Sequence, residues 1–177
     1  MDNIRIEELF KLPQHTQERY ANLLKYLAPK AKLCGKDGRQ LGDLTYAEVA
    51  KIKRLANDQD PLNVLAIVFN VSEPEILKVR CMEFFAALNW VQLELHILQE
   101  REKLLTEDVD PDLEEAGVKR LDVFKEFNVL IPLSKEYSLP PETIADWQYS
   151  TIFTILYHAK ITNDIQRRHM EIQKSKR

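Results

Sequence analysis

The stretch Ser72–Leu105, SEPEILKVRCMEFFAALNWVQLELHILQEREKLL, decides the fold class. Ser72 and Glu75 form a capping box, in which each side chain satisfies a backbone N–H group where a helix begins. No glycine or second proline follows the box, and apolar residues recur at helical spacing. The pattern predicts one helix over about Glu73–Leu105, roughly 45 to 50 Å long at about 1.5 Å per residue. We expect its second half to project.

The composition also favours helices. Of the 177 residues only 4 are glycine, at positions 35, 38, 42 and 117, so neither a Rossmann nor a P-loop phosphate motif can be formed. A hydrophobic fraction of 45% and a charged fraction of 30% are typical of one globular domain or two small ones. The net charge of −3 is too balanced to indicate general nucleic-acid binding.

Start and stop signals place shorter elements before this helix. Residues 2–12 and 14–27 each have an amphipathic helical pattern and together predict a helical arm over 1–29. Residues 31–41 give the only β signal, with two short strands around a turn at Gly35–Gly38. Helix starts at Thr45–Glu48 and at Asp60-Pro61 then complete a subdomain over 30–105.

A second subdomain is predicted after an acidic linker at 106–112, where Asp110-Pro111 starts another helix. Leu139-Pro140-Pro141-Glu142 begins a short helix that ends near Trp147, and a last helix with a basic end runs from about Ser150 to Lys176. No repeat is obvious in the sequence. The predicted fold is mainly α: two small helical bundles, at 30–105 and 113–177, with long projecting helices and one short N-terminal β-hairpin.

The residues give no positive sign of catalysis, of a cofactor or of a metal. His96 and Glu100 share a helix face, but such pairs are common on a solvated helix. Cys34 and Cys81 lie outside any CxxC pattern, and Cys81 sits among apolar residues that favour a core position. We therefore expect a protein that is not an enzyme and that uses no cofactor. Neither a signal peptide nor a long apolar run is present, so we expect no membrane partner.

Candidate interface residues come from apolar, aromatic and basic positions. Core packing is the alternative for the aromatic residues. The basic end of the last helix is expected to meet the acidic run at 94–115 of another copy or of a partner, and helix-dipole stabilisation is the alternative for it. The candidates are Ile4, Ile6, Leu9, Phe10, Trp90, Trp147, Tyr149, Arg167 and Arg168.

Several segments carry a family resemblance. The run LTYAEV at 44–49, DPL at 60–62 and IVFNVSEPEIL at 67–77 resemble small helical proteins encoded among the tail genes of tailed phages, above all tail-assembly-chaperone-like proteins. The second half, with YSLPPE at 137–142 and WQY at 147–149, is similar to phage proteins of gut-bacterium type.

The resemblance implies a non-enzymatic protein of tail or neck morphogenesis that is made in the host cytoplasm. One version is a virion component, a subunit of an oligomeric ring or connector whose partners are further copies of itself and other tail or neck proteins. The other version is a chaperone that binds the apolar helix of a tape-measure protein. A nucleic-acid-binding adaptor is a less favoured alternative, because no aromatic residue is interleaved with the basic ones at the C-terminal end.

Overall fold

A computed structural model of the chain describes residues 4–106 and 115–176, apart from the side chain of Asp122. It confirms a mainly α protein with one two-stranded hairpin. Two 3₁₀ helices lie at Leu41–Asp43 and Val118–Phe124, and the strands are β1 (Lys32–Leu33) and β2 (Lys36–Asp37). The helices are α1 (Ile6–Leu9), α2 (Gln14–Leu24), α3 (Tyr46–Asn57), α4 (Pro61–Phe69), α5 (Glu73–Leu77), α6 (Cys81–Lys103), α7 (Phe127–Tyr137), α8 (Pro141–Ala145) and α9 (Tyr149–Ser175).

The chain divides into two compact units. Unit 1 comprises Met1–Leu44 and Glu48–Leu98, and unit 2 comprises Thr45–Ala47 and Gln99–Arg177. The division in the chain thus falls within α6, seven residues before the predicted linker begins. That linker, apart from Thr106, and the helix start predicted at Asp110-Pro111 lie outside the described residues.

The long helix predicted from Glu73 is interrupted, because the capping box at Ser72 starts only the five-residue helix α5. The Ile6 amide donates to the Val79 carbonyl (3.1 Å) and the Cys81 amide donates to the Ile4 carbonyl (3.0 Å). These bonds to the N-terminal segment engage the backbone between α5 and α6 in an isolated antiparallel bridge, Arg5 to Arg80. A continuous helix would need the same groups, so the tertiary contact ends α5 at Leu77.

The N-terminal segment is part of the core of unit 1 and not an arm. Ile6 and Leu9 on α1 are fully buried, together with Leu65 and Phe69 on α4 and Ile76 on α5. Only α2 keeps the character of a surface helix, since none of its residues is buried. The amphipathic pattern of residues 2–12 is therefore that of a helix that packs inside its own domain.

The hairpin has a tighter turn than the sequence predicts. Leu33 pairs with Lys36, which leaves Cys34 and Gly35 as the two turn residues, both with positive φ (52° and 76°). Two residues with positive φ are the signature of a type I′ turn, which matches the twist of the strands. Gly38 lies outside the turn, beneath the indole ring of Trp90. The prediction of a turn at Gly35–Gly38 is therefore wrong in its position, because the turn residues are Cys34 and Gly35.

The same backbone arrangement occurs in both units, although no repeat is obvious in the sequence. A helix ends in a left-handed cap (Asn70 or Ser138), a five-residue helix follows, and a long helix begins after an isolated bridge. Equivalent residues are 68 positions apart, as in Ile76 and Ile144, which are both fully buried.

Two backbone hydrogen bonds of unit 1 have counterparts in unit 2. The amides of Val71 and Leu139 each donate at 3.2 Å to a carbonyl five residues earlier. The Tyr46 amide donates to the Trp147 carbonyl (2.9 Å), as Ile6 does to Val79 in unit 1. The repeat resides in caps and bridges, which many residue types can form, and this is why residue identities do not reveal it.

Unit 2 has its own apolar core. Its buried centre consists of Leu130 and Leu133 on α7, Ile144 on α8 and Ile152 on α9. Partly buried residues around this centre are Tyr46, Val129, Ala145, Trp147, Ile155 and Leu156. The core engages only the first part of α9, so the rest of that helix is held by other means.

Candidate interaction surfaces

The far half of α9 carries several exposed apolar residues. After Ile152, no side chain up to Ser175 is buried. Ile161, Ile165 and Ile172 are 42%, 62% and 52% exposed. Isolated apolar residues on a surface are ordinary, whereas several on one helix mark a place where another chain packs.

The two arginines predicted as interface residues lie on this half of α9. Both are exposed, and the Arg167 guanidinium donates to the Asp164 carboxylate at 2.8 Å within the same helix. The ammonium of Lys160 holds the helix at its middle by donating to the carbonyls of Leu104 (2.8 Å) and Thr106 (2.7 Å). The cation of Arg168 is therefore presented to solvent beside the exposed isoleucines.

The four N-terminal candidates separate into core and surface residues. Ile6 and Leu9 are core residues, so the prediction that they form an interface is wrong for this structure. Ile4 is half-buried, and its carbonyl accepts the bond from Cys81 described above. Phe10 is 44% exposed and is the N-terminal candidate that still presents an apolar surface.

The three aromatic candidates pack mainly inside their units. The indole of Trp90 meets the ring of Phe69 edge-on at 5.7 Å in unit 1. The indole of Trp147 meets the ring of Tyr137 edge-on at 5.1 Å in unit 2. Both indoles are half-buried, so core packing, the alternative considered from the sequence, accounts for these contacts.

Tyr149 is a buried residue at the start of α9. Its ring stacks on that of Tyr46 at 5.9 Å, with an angle of 7° between the planes, and its hydroxyl donates to the Glu102 carboxylate. Burial raises the pKa of Tyr149, and the bond to Glu102 raises it further. Burial likewise raises the pKa of Tyr46 to about 12. Tyr149 thus joins α9 to the end of α6 and is not a surface residue.

A basic cleft in unit 1 was missed by the sequence reasoning. It has a volume of about 640 Å³, with Leu27, Met82 and Ala86 among its apolar lining and with Lys30, Lys32 and Arg80 at its cationic positions. In the described part of the chain none of these three cations forms an ion pair. Lys30 and Lys32 lie in one segment and Arg80 lies in another, so the fold brings Arg80 to the two lysines.

A more polar depression adjoins the cleft and shares Gly35, Arg80 and Glu83 with it. Glu83 accepts the amide of Cys34 at 2.8 Å, which holds the hairpin turn against α6. Burial raises the pKa of the Cys34 thiol, and the nearby Glu83 carboxylate adds to this. The thiol is therefore protonated at neutral pH and is a poor nucleophile.

The remaining titratable groups form no recognisable reactive centre in the ranges that the structure describes. Cys81 is buried as predicted, and burial raises the pKa of its thiol. Across those ranges no three His, Cys, Asp or Glu side chains meet in a group that would hold a metal ion. His96 and Glu100 lie on an exposed face of α6.

Comparison with known proteins adds no relative. No family model, no curated protein and no solved structure matches the chain. None of the described helices combines the length and the apolarity needed to cross a membrane.

Proposed function

We propose that the chain is a non-enzymatic structural subunit of the tail or neck of a tailed phage, and that it acts through contacts with other proteins. The observation that carries this proposal is the far half of α9, where three isoleucines and a basic residue lie exposed on one helix. A helical segment without core contacts is marginal in water by itself, and packing against another chain stabilises it.

The phage setting comes from the sequence resemblance described above, and the ring or connector is the form of assembly that fits a tail or neck subunit. Extended helices with charged and apolar faces are suited to contacts between subunits, since apolar residues supply affinity and charges set register. The partners are other tail or neck proteins and further copies of the chain. Neither a cofactor nor a catalytic step is part of the proposal.

Mass spectrometry of purified particles of the encoding phage tests this function directly. A structural subunit is found there in a fixed ratio to the other tail or neck proteins, after washing at high salt. Complete absence of its peptides from intact particles, while known minor proteins are detected, would sink the proposal.

A tail-assembly chaperone is the second candidate, and the basic cleft of unit 1 is the observation that favours it. Its apolar lining, with Leu27, Met82 and Ala86, fits the apolar face of a helix, and its cations fit acidic residues beside that face. A chaperone would co-purify with the tape-measure protein before assembly and be missing from finished particles. The Lys30→Glu and Lys32→Glu double variant should then lose the tape-measure protein.

A further inference from the structure

The exposed isoleucines of α9 follow a heptad spacing. Ile165 and Ile172 are seven residues apart, and Ile161 precedes Ile165 by four, which is the a and d spacing of a coiled coil. With Ile165 at an a position, the a positions are His158, Ile165 and Ile172, and the d positions are Ile161, Arg168 and Ser175. The apolar stripe thus runs from Ile161 to Ile172, a little under two heptads, and the remaining a and d positions are polar.

Tyr157 and Met170 are exposed large apolar residues of the same helix that lie off this stripe. Met170 is 56% exposed, and at about 100° per residue it lies on the side of the helix opposite Ile161, Ile165 and Ile172. The three isoleucines therefore share one face of the helix. Met170 provides a control position, also apolar and exposed, on the opposite face.

The side chains that flank the stripe are acidic along one edge and basic along the other. Asp164 and Glu171 occupy the g positions along one edge, and His169 and the C-cap residue Lys176 occupy the e positions along the other. In a parallel pair of such helices each g residue faces the e residue of the next heptad, which places Glu171 opposite Lys176. In an antiparallel pair g faces g, which sets carboxylates against carboxylates. The pattern therefore favours parallel pairing of like helices.

From these positions we infer that the far half of α9 pairs with α9 of a second copy of the chain, in parallel and in register. The inference deepens the proposed function, on which it rests for its biological setting, by naming the partner and the contact. Parallel pairing places the symmetry axis along the helices, as in a cyclic assembly of subunits.

Arg168 lowers the affinity of the self-pairing. It occupies a d position, so pairing brings it opposite the partner's Arg168, and two cations at one level of an apolar seam weaken the contact. The rival occupant, an acidic helix of another protein, would use Arg168 as an ion-pair anchor. Replacing Arg168 by leucine therefore separates the two, because it tightens self-pairing and weakens binding to an acidic helix.

Sedimentation equilibrium of the full chain at several concentrations tests the pairing. We expect Ile165→Asp to raise the dissociation constant at least about tenfold, and Arg168→Leu to lower it by a similar factor. Met170→Asp, which adds the same charge on the opposite face, should change the constant less than about threefold. Circular dichroism checks that each variant keeps its helix content, which these exposed positions should not alter.

The orientation is tested by exchanging charges. Glu171→Lys or Lys176→Glu alone should weaken a parallel pair at low salt, and the double exchange should restore it. In an antiparallel pair Glu171→Lys would strengthen association, because the lysine would then face Asp164. That result would overturn the parallel arrangement.

A chain that stays monomeric at every concentration, including as the Arg168→Leu variant, overturns the inference. The proposed function is judged separately, by the presence of the protein in purified particles. Copies in particles together with a monomer in solution would remove only the self-pairing, whereas a dimer that is missing from particles would remove only the structural role.

Discussion

Gly38 shows how one residue connects the hairpin to the core of unit 1. A Cβ atom at this position would lie 2.5 and 2.8 Å from two atoms of the Trp90 ring and 3.0 Å from the ring of Phe69. Real carbon atoms do not approach so closely, and the Trp90 ring is itself held edge-on by Phe69. The absence of a side chain is thus what lets the indole cover the chain after β2.

Gly38→Ala should lower the free energy of unfolding by about 1–3 kcal/mol, the usual cost of forcing extra carbon into a packed site. Urea denaturation followed by circular dichroism measures this change. Combining Gly38→Ala with Trp90→Phe should recover part of the loss relative to Trp90→Phe alone, because the smaller ring lacks the atoms that clash. An unaltered urea midpoint for Gly38→Ala would show that Trp90 moves aside freely.

The two stacked tyrosines of unit 2 predict a dependence of stability on alkaline pH. The pKa values of Tyr149 and Tyr46 are both raised in the folded chain, chiefly by burial. Above the ordinary tyrosine pKa near 10, the unfolded chain releases protons that the folded chain still holds. Their contribution is therefore fully present below about pH 10 and is lost as the pH rises towards 12 and beyond.

Urea denaturation at about pH 9 and pH 11 checks this expectation. Tyr149→Phe should reduce the drop in the free energy of unfolding between the two pH values, because it removes one of the two raised groups. Tyr26→Phe is the matched control, since that ring is 81% exposed and should leave the drop unchanged. Equal drops in all three proteins would count against the assignment.

At the scale of elements, α1 is a helix that gets its stability from the core it enters. It has only four residues, and helices of that length do not persist alone in water. The Arg5 amide donates to the Glu8 carboxylate at 2.9 Å, which caps its start, and Ile6 and Leu9 fill the core of unit 1. The segment therefore behaves as a structural part of unit 1.

Ile6→Ala should lower the free energy of unfolding by about 2–5 kcal/mol, as expected when a fully buried aliphatic side chain is truncated. Phe10→Ala, on the exposed end of the same segment, should cost far less and serves as the control. The measurement is thermal or urea unfolding of the two variants beside the wild type. A small effect of Ile6→Ala, similar to that of Phe10→Ala, would mean that the segment does act as a detached arm.

At the scale of the whole molecule, we expect that the far half of α9 is not needed for the chain to fold. Its side chains beyond Ile152 are at most half-buried, and the tether through Lys160 precedes its exposed isoleucine stripe. The core of unit 2 is complete without the last residues of the chain.

A chain that ends at Thr162 should keep the cooperative thermal transition of the full protein and lose its self-association. Differential scanning calorimetry and sedimentation equilibrium on the same samples measure the two properties. Cooperative folding without association fits a helix that serves contacts between copies. Loss of the cooperative transition would show instead that residues 163–177 contribute to folding.

The sequence by itself determined the elements whose signals are local. The caps at Asp60-Pro61 and at Pro140-Pro141 correctly placed α4 and α8, because capping depends on neighbouring residues alone. Glycine scarcity correctly indicated helices, and the apolar surroundings of Cys81 correctly indicated a core thiol.

Only the tertiary structure decided what each apolar face packs against. Periodicity shows that Ile6 lies on an apolar face, but not that this face enters the core of its own unit and is closed to another chain. Three further features could not be predicted from the sequence for the same reason. They are the break between α5 and α6, the basic cleft, and the repeat of caps and bridges. Each depends on segments distant in the chain that meet through backbone groups, and a local pattern carries no information about such partners.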